Sequence, residues 1–222
     1  MDQNDPATAP MRVRLADGRR FILWVEALPR PDGEVDCVVT ALEQPTHARV
    51  VLIGPESSGK STLAHDLSEA LGQPFAAEAA RAYLAEQPFR GMEDLLAIHR
   101  AQRQASEELV SGNPGEKVDG LPVAIEDTDA LTTWIWAEEK FGQVPEEIQV
   151  DFAQHPPMLY LLCHPEIPWQ PDPLRENPMD RERLFDRHVA ILEACGHPYV
   201  VLRGDRSQRL AEALRVLRAW GI

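Results

Sequence analysis

The chain has 222 residues, enough for one full α/β core and a small appendage. A net charge of −14, a pI near 4.9 and the lack of any long lysine or arginine run present a repulsive average field to a phosphate backbone, so nucleic acid is excluded as the expected partner. No apolar run approaches membrane-spanning length and Met1 to Asp5 lacks the character of a signal peptide, so a cytoplasmic chain without membrane insertion is expected; Cys37, Cys163 and Cys195 form neither a disulfide framework nor a zinc pattern.

After a polar leader, Arg12 to Leu15 and Phe21 to Leu28 read as strands joined around Asp17-Gly18, with a third strand at Val35 to Leu42. Residues 1–48 are thus expected to form a leader, a small β-unit and a linker. This unit carries no evident chemistry and is a candidate surface for a second copy or a transporter. The main domain is expected over 49–222. There strand and helix alternate: strand 49–53, helix 60–71, a short strand near 74–77, helices 79–86 and 92–110, strand 122–126, helices 129–141 and 145–154, strand 158–163, helix 181–194, strand 198–202 and helix 206–219. Such alternation predicts an α/β fold of three layers, a parallel sheet of about five strands covered by helices on both faces.

Gly-Pro-Glu-Ser-Ser-Gly-Lys-Ser-Thr at 54–62 follows the apolar run Val50 to Ile53 and satisfies G-x-x-x-x-G-K-[ST]. Gly54 and Gly59 permit turns that aim successive N–H groups at phosphate oxygens, and the helix opening at Lys60 adds its positive end. Gly54, Glu56, Ser57, Ser58, Gly59, Lys60, Ser61 and Thr62 are therefore the expected ATP contacts. Lys60 would reach the β- and γ-phosphates and Ser61 would ligate Mg²⁺. With Lys117 and Lys140, Lys60 is one of only three lysines in an arginine-rich chain, which sets it apart.

Glu126-Asp127-Thr128-Asp129 closes the next buried strand, at the sheet edge where such folds bind ligands. Asp127 is the candidate metal contact and Asp129 a candidate for substrate hydroxyls, with helix capping as the other role for Asp129. Glu78 and Arg81, past the short second strand, fall where an acceptor hydroxyl would be oriented and its proton taken; an ordinary i, i+3 ion pair is the alternative. The proline-rich segment 165–183 is stiff and irregular, which suits a lid. Its Arg175, Arg181 and Arg183 are candidates to neutralise charge on a transferred phosphoryl group, and Trp169 is a candidate ligand contact.

Taken together, the 54–62 loop, Glu78-x-x-Arg81-x-Tyr83, Asp127-Thr128-Asp129-x-x-Thr132-Thr133 and Pro168-Trp169-x-x-Asp172-x-x-Arg175 resemble the ribosylnicotinamide kinase domain of NadR-type proteins, over about residues 49–220. Residues 171–178 are similar to the stand-alone branch found beside PnuC-type vitamin transporters. The resemblance implies a P-loop fold of nucleoside/nucleotide-kinase type, ATP and Mg²⁺ as cofactors, and phosphoryl transfer to the 5′-hydroxyl of nicotinamide riboside. It implies catalytic roles among Lys60, Glu78, Asp127, Asp129, Arg175 and Arg181, with Arg81, Tyr83 and Trp169 beside the substrate. In two places the chain departs from the pattern: Ala77 and Arg103 stand where aromatic residues hold the nicotinamide ring. Thiamine or another nucleoside is therefore an alternative acceptor, and a non-kinase ATP-binding regulatory module is the alternative of another class.

Overall fold

The computed structural model describes residues 11–14, 20–29, 35–44, 48–112, 123–171 and 179–220. The chain divides into two compact units, Met1–Thr46 and His47–Ile222. The first holds a three-stranded antiparallel sheet: β1 (Met11–Arg14), β2 (Arg20–Pro29) and β3 (Val35–Gln44), in that spatial order. β2 and β3 pair along their full length, from Arg20 opposite Gln44 to Pro29 opposite Val35, and the β-branched pair Val25–Val39 sits midway. Both strands exceed the expected bounds by one or two residues at their ends. The Asp17-Gly18 turn and the linker 45–47 lie outside the described residues.

The second unit carries β4 (Ala48–Ile53), α1 (Lys60–Leu71), β5 (Phe75–Ala76), α2 (Ala79–Glu86), α3 (Met92–Gly112), β6 (Val123–Asp127), α4 (Ala130–Phe141), α5 (Glu146–Gln154), β7 (Leu159–Cys163), α6 (Arg181–Cys195), β8 (Tyr199–Leu202) and α7 (Arg206–Ala219). Its five strands run parallel in the order β5-β6-β4-β7-β8. The fold is therefore the α/β three-layer one expected, with element ends shifted by a residue or two.

Strand β4 shows why the sheet is central. Val50 and Leu52 pack on one face with Leu63, Leu67, Ala213 and Leu217 of α1 and α7. Val51 and Ile53 pack on the other with Leu131, Ile135, Leu184 and Leu192 of α4 and α6. A strand buried on both faces must be apolar throughout, as 50–53 is. A third cluster, Leu95, Ala137 and Ile148, ties α3, α4 and α5 together. Among the described residues no helix is long and apolar enough to cross a membrane.

Candidate active site

The loop at 54–59 leaves the carboxyl end of central β4, where its neighbours β6 and β7 also end. Gly54 has φ +138°, and a Cβ there would stand 2.6 Å from the Cys163 carbonyl oxygen at the end of β7, so both backbone angle and space demand glycine. Gly59 (φ +88°) turns the chain into α1, whose first turn has no acidic residue to compete for an anion. The Lys60 ammonium folds back onto the carbonyl oxygens of Gly54 and Pro55, at 2.9 and 3.0 Å. Glu56, Ser57, Ser58, Gly59, Lys60, Ser61 and Thr62, together with Glu78 and Arg81, line a pocket of about 120 Å³. The expected phosphate-binding residues and the Glu78–Arg81 pair are thus brought to one place. Arg81 Nε lies 3.4 Å from Glu78 Oε2, so the i, i+3 pair forms, and it forms inside this pocket.

Asp127 ends β6, is 1% exposed, and lies beside the Ser61 side chain. Its Oδ1 has no hydrogen-bond partner among the described residues. Burial pushes its carboxyl up to about 6, opposed by Lys60 and the Ser61 hydroxyl. An orphaned carboxylate oxygen beside a serine hydroxyl is a hard-oxygen donor set that fits a divalent cation such as Mg²⁺.

Asp129 is not at this pocket, which corrects the expectation that it serves substrate hydroxyls. In an extended chain residues 127 and 129 would share a side, but Thr128 takes φ +78° and turns the chain between them. The Asp129 carboxylate accepts from Leu131 N at 2.9 Å, capping α4, and from the Tyr160 hydroxyl at 2.8 Å. Burial holds its carboxyl at about 6, against the pull of Arg49 and Tyr160. Arg49 in turn grips buried Glu126 at 2.7 and 2.8 Å.

Tyr83 is also placed differently. Its hydroxyl donates to Asp94 Oδ1 at 2.8 Å, and Asp94 accepts from the N–H groups of Arg90 and Gly91, so Tyr83 fastens the turn between α2 and α3. In the segment expected to form a lid, Arg175 and Asp172 lie outside the described residues. Arg181 donates to Ser57 O (3.3 Å) and Ile167 O (3.0 Å), with its guanidinium 5.7 Å from the Trp169 ring centroid. Gln170 N donates to Ser57 Oγ at 3.1 Å. Arg181 therefore ties residues 167–170 to the phosphate loop, and Trp169 packs on that arginine. Arg183, by contrast, is bound bidentately to Glu139 at 2.8 and 2.6 Å on the surface and is not aimed at the loop.

Two features escaped the sequence reading. A cleft of about 460 Å³ opens beside the phosphate pocket and shares Glu56 and Lys60 with it. Phe89 and Trp136 form part of its wall, stacked with centroids 5.1 Å apart at 19°. Thr132, Ile135, Trp136, Glu139 and Lys140 line it from α4, at helical spacing on one face. That stripe was the available signal in the sequence. Ala77 is exposed and Arg103 pairs with Glu107 (2.9 Å) and Asp151 (3.5 Å), so neither supplies an aromatic face. The second feature is Arg209, 3% exposed, which donates to Ser58 O, His164 O and Gly204 O at 2.6, 2.8 and 2.8 Å.

A phosphate loop at the carboxyl edge of a five-stranded parallel sheet, with helices on both faces, defines a three-layer α/β P-loop fold of the kind that P-loop kinases share. Residues 49–209 match the family described as an AAA domain, and the chain belongs to that family. Among solved structures it is similar to NadR protein in complex with NR (TM-score 0.69, 22% identity, covering 80% of this chain and 52% of that one). It is similar also to NadR protein in complex with NAD and AMP-PNP (TM-score 0.64, 23% identity, 78% and 49% covered). Thymidylate kinase from Ehrlichia chaffeensis shares the fold more distantly (TM-score 0.53, 16% identity, 78% and 99% covered). The chain spans about half the length of the NadR chains it matches. No curated protein sequence matches it.

Proposed function

We propose that this protein is an ATP- and Mg²⁺-dependent kinase of a small nucleoside-like acceptor, with nicotinamide riboside the first candidate. The observation that carries the reading is the junction of two cavities: the phosphate pocket and the aromatic-walled cleft meet at Lys60 and Glu56. A nucleotide tail in one and an acceptor in the other would bring a γ-phosphoryl group and a hydroxyl together.

In this reading Ser61 and Asp127 hold the cation, which when bound shields the phosphate charge. Lys60, already turned toward the loop, exchanges its two carbonyl contacts for phosphate oxygens. Glu78, 24% exposed and on the pocket wall, orients the acceptor hydroxyl and takes its proton. Arg181, with Arg175 from the same segment, counters charge on the transferred group. Stacking on Phe89–Trp136 replaces the aromatic contacts missing at Ala77 and Arg103, which keeps a flat cationic ring ahead of other acceptors. The NadR complex with NR lends support by its shared fold.

The test is initial-rate ADP formation against nicotinamide riboside, thiamine and the common ribo- and deoxyribonucleosides at matched concentration. Acceptor-dependent turnover supports a kinase, and preference for nicotinamide riboside supports the acceptor. ADP release indifferent to every acceptor sinks the kinase reading.

A further inference from the structure

Arg209 of α7 is an unusual buried cation. Its donors go mainly to backbone carbonyls on three separate segments: Nη1 to Ser58 O (2.6 Å), Nη2 to His164 O (2.8 Å) and Nε to Gly204 O (2.8 Å), with Glu166 Oε1 3.4 Å from Nη2. Arg181 reaches the neighbouring loop carbonyl, Ser57 O, at 3.3 Å. Two arginines from different helices therefore hold two consecutive peptide units of the phosphate loop by their oxygens. Every described peptide bond is trans. In a planar trans peptide the C=O and N–H point in opposite directions. Drawing Ser58 O onto Arg209 turns the Gly59 N–H away from Arg209, and drawing Ser57 O onto Arg181 does the same to the Ser58 N–H.

We propose that Arg209, with Arg181 beside it, is a positioning residue that holds the Ser57-Ser58-Gly59 backbone with its N–H groups turned toward the phosphate pocket before any nucleotide arrives. This rests on the reading of 54–62 as a phosphate site. Arg209 also borders an adjoining, mostly apolar pocket of about 100 Å³ with Thr62, Ile167 and Arg206, so direct contact with the nucleoside part of a nucleotide is the competing role. Preorganising N–H donors spares the ligand the cost of ordering them, and the benefit belongs to phosphate alone. A planar guanidinium spans three carbonyls, whereas an ammonium does not.

The experiment is calorimetric affinity for ATP and for tripolyphosphate, measured on the full chain and on Arg209→Ala, Arg209→Lys and Lys60→Ala, each checked for folding by thermal denaturation. The expected result is an equal loss for both ligands in Arg209→Ala, roughly tenfold or more. Millimolar guanidinium should restore the alanine variant, and lysine should not substitute for arginine. Where the alanine variant does not fold, the lysine variant carries the same comparison. Unchanged tripolyphosphate affinity in folded variants overturns the proposal, as does a loss confined to ATP, which would make Arg209 a nucleoside contact. If Lys60→Ala also leaves both affinities unchanged, the phosphate-site reading itself falls.

Discussion

Replacing Asp127 by asparagine should make the protein more stable near neutral pH while removing its activity. Burial lifts the Asp127 carboxyl from 3.8 to about 6. The shift of about 2 pKa units corresponds to about 3 kcal/mol, at roughly 1.4 kcal/mol per unit. The folded pKa is raised above the unfolded one, so the folded state holds its proton longer. Between about pH 4 and pH 6 the folded state binds more protons than the unfolded, and this residue's contribution to stability falls as pH rises through that window. Asparagine carries no such proton. In urea denaturation without nucleotide or cation, the stability of Asp127→Asn minus that of the parent should therefore grow by about 2.5 kcal/mol between pH 4 and pH 7.5. Other titrating groups, including His188, which burial lowers to about 4, cancel in the difference. Mg²⁺ with ATP should restore stability to the parent and do less for the variant, because only the parent offers the buried carboxylate. A difference that is flat with pH, or that shrinks, would refute the claim that Asp127 is a desolvated carboxylate awaiting a cation.

Lys60→Ala should leave the thermal transition nearly unchanged and abolish phosphoryl transfer in a coupled ADP assay, since the ammonium's present partners are two loop carbonyls that water can satisfy. Glu78→Gln keeps size and a hydrogen bond but cannot accept a proton, so kcat should fall with acceptor KM little changed; unaltered kcat would pass the base role to Asp127. Asp129→Ala should cost about 1–3 kcal/mol in denaturant unfolding through loss of the α4 cap and an unpaired Tyr160 hydroxyl, and at saturating substrate the folded fraction should turn over normally. Trp136→Ala should raise the KM for an aromatic acceptor several-fold and spare the KM for ATP; equal effects on both would remove the cleft from the acceptor site.

The phosphate loop, the β4-loop-α1 unit and the alternation behind a parallel sheet were determined by the sequence itself, because each rests on local chemistry. Gly54 and Gly59 are dictated by backbone angles, the 50–53 run by burial on both faces, and Lys60 by its fixed offset within the loop. The place of Asp127 at the sheet edge was legible for the same reason, because it follows an apolar run in the sequence. What only the tertiary structure decided depends on contacts between distant segments. Asp129 faces Tyr160, 31 residues away, because Thr128 adopts a left-handed angle that no residue pattern announces. Arg183 was indistinguishable from Arg181 as a lid arginine until Glu139, on a different helix, claimed it. Phe89 and Trp136 meet across 47 positions, and Arg209 reaches Ser58 across 151, so the cleft wall does not exist until β5 and β6 are side by side, nor the Arg209 contact until β4, β7 and β8 share an edge. Sequence spacing predicts which side chains share a strand or a helix face, but only packing fixes which carbonyl a buried guanidinium finds.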